Sequence, residues 1–195
     1  MDDLSRRSLF TIIAASAITP AFAQHVHEAV AKEKSLSGGA AYKPLHFSQH
    51  YFATLRQLAD LIIPADEHSG GASEGGAAEF IDMFCSRNPE LAATIDGGLT
   101  WLDQTMHQRY SSDFLTAKPD QQTALLDAIA YTANVTPETA YGTQFWTLLR
   151  NMVVDAFYTS PAGVKDLGYM GNKAVAKFEV PQEAVDYVMK RSPLA

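Results

Sequence analysis

The longest apolar helical pattern in the chain runs from about Thr139 to Tyr158, through Phe145, Leu148, Leu149, Met152, Val153, Ala156 and Phe157. These positions recur at three- and four-residue steps, the repeat of an α-helix, and do not alternate as a strand would. Arg150 and Asp155 interrupt the run. It therefore predicts a core helix and not a membrane span. A core helix has to be covered, and the remaining chain offers further helical patterns to cover it.

Ser48 is a good N-cap, with Phe47 before it and Phe52 after it as a hydrophobic staple. Apolar residues then recur at Tyr51/Phe52, Leu55, Leu58/Ala59 and Ile62. Pro64 lacks a backbone N–H and restricts the residue before it, so this helix ends near Ile63. An acidic segment, Asp66-Glu67-His68, and the pairs Gly70-Gly71 and Gly75-Gly76 form a polar loop. A short helix follows over Ala77–Phe84, burying Phe80, Ile81 and Phe84, with Cys85 at its end. Asn88 caps the next helix and Pro89 opens it. Its buried side is Leu91, Ile95, Leu99, Leu102 and Met106. Gly97-Gly98 weaken its middle by about 1 kcal/mol each relative to alanine if exposed, or else permit close helix packing or a break. Trp101 bridges core and surface. Phe114-Leu115 anchors a turn, and Pro119-Asp120 opens a helix with Leu125, Leu126 and Ile129 inward. Asn134 to Pro137 is a loop. Gly163 to Asn172 is a glycine-punctuated loop bearing Tyr169, and Pro181 starts a last amphipathic helix with Val185, Val188 and Met189 on one side. Strong strand alternation is absent. The reading is an all-α, single-domain irregular bundle of about five to seven helices, over residues 48–195.

Ahead of it, residues 1–23 resemble a cleavable signal. Arg6 and Arg7 precede a modestly apolar run from Leu9 to Ala23 that ends Ala21-Phe22-Ala23, an A-x-A-type cleavage site. Twin arginines before a weak apolar run fit a twin-arginine (Tat) export signal, which moves folded proteins, with an ordinary Sec signal as the rival. The run is shorter than the roughly 18–20 residues of a membrane span, which makes a retained anchor the lesser alternative. Residues 24–47 are expected to form an N-terminal arm, a linker or fraying helix. His25 and His27 within it are expected in a solvated tail, with adventitious metal binding as the alternative.

Several function classes are excluded at this point. The formal net charge of −7 and the lack of a basic stripe argue against nucleic acid. Hydrophobic residues at 47% and charged residues at 19% describe a folded domain, not a disordered chain. A single cysteine, Cys85, excludes an internal disulfide, a Cys-x-x-Cys-His haem site and a self-contained iron–sulfur cluster. Cys85 is expected as a buried small side chain, with an intermolecular disulfide as the rival. No dinucleotide fingerprint, P-loop or G-x-S-x-G is present. Asp66, Glu67 and His68 are candidates for a cation or for proton transfer, against a solvated or partner-facing loop. His46 and His50 are four apart and would share a helical face only if the helix began before Ser48. Tyr169 is either a contact residue or folds back onto its own core. The hydroxyls of Thr159-Ser160 are expected to cap a helix end or turn.

Three segments carry a family resemblance: Asp60 to Ala72, Gly98 to Asp103, and Phe157 to Asn172. In order and spacing they are similar to the small subunit (subunit 3) family of gluconate 2-dehydrogenase-type, membrane-associated dehydrogenases, over roughly Ser48 to Asn172. The resemblance implies a non-catalytic subunit with no cofactor, metal or catalytic residue of its own. It implies a large flavoprotein partner of the glucose–methanol–choline (GMC) type that holds FAD and oxidises a sugar or sugar acid, and a cytochrome c partner that carries haem c. It also implies that this chain meets the Tat translocase during export and supports folding, export and stability of the flavoprotein. Its place would be the periplasm, held at the inner membrane through its partners. Asp66, Glu67, His68, Tyr169 and Asn172 are then candidates for partner contact. The alternative is a stand-alone exported metal-binding protein, hydrolase or oxidoreductase using Asp66, Glu67 and His68.

Overall fold

The computed structural model describes residues 20–36, 42–171 and 179–192. Arg6, Arg7, the leader up to residue 19, and Asn172 lie outside the described residues. Among the described residues there are eight α-helices, one 3-10 helix and no strand. They are α1 (Pro20–Leu36), α2 (Gln49–Ile62), α3 (Ala77–Cys85), α4 (Pro89–Tyr110), α5 (Pro119–Ala130), α6 (Ala140–Tyr158), α7 (Pro161–Asp166) and α8 (Gln182–Met189), with the 3-10 turn at Thr132–Asn134. Among them, no helix is long and apolar enough to cross a membrane.

The long apolar helix α6 is the hub: α2, α3, α4, α5 and α7 all pack against it. Phe145, Leu149, Met152, Val153, Ala156 and Phe157 face this core. Gly142 and Gly98 let α6 and α4 approach closely. A β-carbon at Gly98 would overlap the Phe145 ring, and one at Gly142 would overlap the Trp101 indole. Of the readings open for Gly97-Gly98, close packing is the one realised, and α4 runs through them unbroken.

The local signals act as expected at α2 and α4. The Tyr51 N–H donates to Ser48 Oγ (3.2 Å), and the Leu91 N–H donates to Asn88 Oδ1 (3.1 Å). Phe47 and Phe52 are both buried. Phe114 is fully buried below its turn, which is held by its N–H donating to Asp103 Oδ1 at 2.9 Å.

Two segments differ from the sequence reading and bring the helix count to eight. The arm forms α1 and docks on α3 through Val26 and Val30. His27 leaves the solvated tail expected for it. Its ring lies 4.9 Å from the Phe80 ring, and its Nε2 is 3.0 Å from Thr159 Oγ1. The physical reason is an i, i+4 pair of valines that composition conceals among charged neighbours. His25 remains exposed, 3.6 Å from Glu28. Helix α1 also runs across the expected cleavage point between Ala23 and Gln24. The second difference is α7, where Pro161 and a Ser160 cap turn the start of an expected loop into six residues of helix.

Candidate functional site

The loop after α2 is organised by Asp60, in the last turn of that helix. Its carboxylate accepts the Ser73 N–H at 2.8 Å and the Ser73 hydroxyl at 2.6 Å. This folds residues 63–73 back on themselves, and the Ala72 N–H donates to the Ile63 carbonyl at 2.9 Å. A β-carbon at Gly71 would lie 2.6 Å from Asp60 Oδ1, so glycine is required for the carboxylate to approach. Gly76, at φ 82°, then turns the chain into α3.

The tip of this loop carries Asp66, Glu67 and His68, all exposed. Asp66 Oδ1 accepts the N–H groups of His68 (2.8 Å) and Ser69 (2.9 Å). Those backbone donors hold its carboxyl below the usual carboxylate range. Its charge is thus occupied in closing its own turn. His68 Nε2 lies 3.3 Å from Glu67 Oε1, with both side chains about three-quarters or more exposed. An exposed pair of this kind adds little rigidity.

The second segment begins at Phe157, which is fully buried. A β-carbon at Gly75 would lie 2.6 Å from Phe157 Cδ2. The turn that follows the first motif segment therefore closes on the ring that opens the second. Thr159 Oγ1 donates to the Asp155 carbonyl, and Ser160 Oγ both donates to the Phe157 carbonyl (2.6 Å) and accepts the Gly163 N–H (3.2 Å). Both hydroxyls thus cap helix ends. Gly163 passes so close to the Phe157 carbonyl that a β-carbon would overlap it.

Beyond α7 the same segment turns outward. Gly168 (φ 59°) and Gly171 (φ 70°) take the left-handed conformation on either side of Tyr169 and Met170. Leu167, Tyr169 and Met170 are 61%, 64% and 71% exposed. Of the two readings open for Tyr169, folding back onto the core is not the one found. Among the described residues, no hydrogen bond, ion pair or ring contact joins Tyr169 to Asp66, Glu67 or His68.

Other polar clusters serve the fold. The fully buried Asp82 of α3 accepts from Tyr42 Oη (2.8 Å) and from the N–H groups of Leu45 (2.7 Å), His46 (3.1 Å) and Phe47 (3.0 Å). This clasp holds the segment leading into α2, and burial together with the Asp82 carboxylate raises the Tyr42 hydroxyl pKa. Sequence reasoning passed over it, because a lone aspartate on a short helix carries no pattern. His46 and His50 point to separate carboxylates of α4, Asp96 at 2.9 Å and Asp103 at 2.7 Å. Among the described residues no group of three or more His, Cys, Asp or Glu is placed to hold a metal. Cys85 is 2% exposed, and burial, then the charges of Asp96 and Asp82, push its thiol up to about 12. It is a packed, unreactive side chain.

The arrangement is that of a scaffold with two displayed loops. A model of the family described as Gluconate 2-dehydrogenase subunit 3 matches residues 49–176. No curated protein and no solved structure matches the chain. The matched stretch runs from the first residue of α2 past α7 and contains both Gly75 and Phe157, and the chain therefore belongs to the gluconate 2-dehydrogenase subunit 3 family.

Proposed function

We propose that this chain is the small, non-catalytic subunit of a periplasmic, membrane-associated, FAD-dependent sugar or sugar-acid dehydrogenase. It stabilises a GMC-type flavoprotein subunit and carries that partner through the Tat translocase in the folded state. A cytochrome c subunit passes the electrons onward, and FAD and haem c belong to the partners. Family membership over residues 49–176 carries the reading. It is supported by how the motif residues are used: Asp60, Gly71 and Phe157 hold the scaffold together, and the displayed residues are contact chemistry such as Tyr169 and Met170. Arg6 and Arg7 are read as the export signal, and Asp66, Glu67, His68, Tyr169 and Asn172 as candidate partner contacts.

The test is affinity purification of the full chain from its native host, tagged at Ala195, with a flavin spectrum recorded. The expected result is a stoichiometric flavoprotein whose flavin is bleached by a sugar or sugar acid. A colourless, solitary protein at low salt in mild detergent would overturn the subunit reading. Replacing Arg6 and Arg7 by lysine is expected to strand both chains in the cytoplasm.

A further inference from the structure

The bond at which the sequence marks the leader for removal, Ala23–Gln24, lies inside helix α1. An α-helix pairs each carbonyl with the N–H four residues on, so the helical ladder engages the Ala23 carbonyl with His27. His27 is in turn held by the body: its ring lies 4.9 Å from the Phe80 ring and its Nε2 3.0 Å from Thr159 Oγ1. Val26 and Val30, on either side of it, are both buried where α1 docks on α3. Gln24, the residue directly after the bond, is tied into the same helix, its Nε2 donating to Glu28 Oε1 at 3.3 Å. The first docked side chains therefore come about one turn beyond the bond.

A peptidase has to reach the scissile carbonyl in an opened stretch of chain, and a hydrogen-bonded helix becomes a substrate only through local unfolding. Freeing Ala23 breaks its pairing with His27, a residue that docking holds in place. Cutting also acts back on docking. Water adds across the Ala23–Gln24 amide, leaving a carboxylate on Ala23 and an amino group on Gln24. That amino group is largely protonated at neutral pH and sits at the N-terminus of what is left of α1, where the helix dipole disfavours a positive charge. We propose that docking of α1 gates removal of the leader: the Ala23–Gln24 bond is cut while α1 is off the body and is protected once α1 has seated on α3. The gate rests on the export reading of the leader. It adds an order of events, since a chain that folds before export reaches the peptidase with the bond already closed.

The experiment incubates the purified full chain, leader included, with signal peptidase in mild detergent, and mass spectrometry reads the cut at Ala23. Val30→Asp places a charge in the buried α1 contact, well beyond the bond itself. Leu125→Ala, at a fully buried position of α5, is the control for general destabilisation. Proteolysis of a transiently opened state follows the population of that state. Val30→Asp is therefore expected to be cut at least about tenfold faster than wild type, with faster amide exchange at residues 24–30. Leu125→Ala is expected to lower the unfolding temperature and yet to be cut within about twofold of the wild-type rate. Equal rates for wild type and Val30→Asp would overturn the gate and leave the export reading standing. So would cleavage of Leu125→Ala as fast as Val30→Asp, because cutting would then follow unfolding of the whole chain. If Val30→Asp does not fold, the wild-type chain decides: cutting no faster than residues 24–30 open by amide exchange supports the gate, and faster cutting overturns it. If neither wild type nor either variant is cut at Ala23, the cleavage-site reading falls and the gate with it.

Discussion

Phe157 and Tyr169 stand in one continuous motif, yet they serve opposite ends. Phe157 is sealed between Gly75 and the start of α7, and its carbonyl receives the Ser160 hydroxyl. Tyr169, two-thirds exposed, is held outward by a turn between left-handed glycines. The glycines explain the difference. Gly75 and Gly163 remove side chains so that the ring and backbone can close, whereas Gly168 and Gly171 face open space and set only the direction of the chain. One half of the motif builds the scaffold and the other half displays apolar surface.

The largest effect is expected from breaking the inner half. Phe157→Ala empties a fully buried site where the turn before α3 meets α6 and α7, and a phenylalanine truncation of this kind costs about 3–5 kcal/mol. Denaturant unfolding measures it, and a loss below about 1 kcal/mol would show that the seam is not tightly packed.

A smaller, pH-dependent effect is expected at the other contact made by this region. Burial holds the His27 pKa below its ordinary value of 6.5, partly offset by a hydrogen bond to the Ala156 carbonyl. The docked helix thus favours the neutral ring. Its contribution is full above pH 6.5, declines as pH falls through that value, and levels off below the lowered folded-state pKa. Burial also raises the carboxyl of Asp155, one turn before Thr159. The two therefore need separating. His27→Gln keeps a donor for Thr159 but cannot titrate, so the wild-type chain is expected to lose more stability than this variant between about pH 7.5 and pH 5. Parallel stability curves would remove His27 as the group that makes α1 docking acid-sensitive.

The smallest effect is expected at the outer half. Tyr169→Ala removes a large side chain with little to leave behind and is expected to change the stability of the free chain by no more than about 0.5 kcal/mol. In the complex the same substitution is expected to weaken partner recovery. A free-chain loss comparable with that of Phe157→Ala would erase the distinction between the two halves.

Much of the scaffold was legible because its signals are local. Ser48, Asn88-Pro89 and Pro64 mark helix ends within a few residues of the backbone groups they serve, and the apolar positions of α4 and α6 repeat at the helical step. α1 was harder to see because Val26 and Val30 are its buried aliphatic contacts among charged neighbours, and α7 because a glycine-containing stretch resembles a loop. The candidate site was legible only as residues. Asp66, Glu67 and His68 were identifiable in sequence, but the approach of His68 to Glu67 and the use of the Asp66 carboxylate by its own turn were not.

The sequence by itself determined the all-α class, most helix boundaries and the family, since periodicity, caps and motif order are properties of neighbouring residues. Only the tertiary structure decided that Gly75 closes on Phe157, that Asp82 clasps the segment before α2, that His27 is drawn under Thr159, and that α8 stays uncovered. Each of these depends on which surfaces meet across the fold. A local pattern can specify that a helix has an apolar face, but what covers that face is settled by packing between distant parts of the chain, or by another chain.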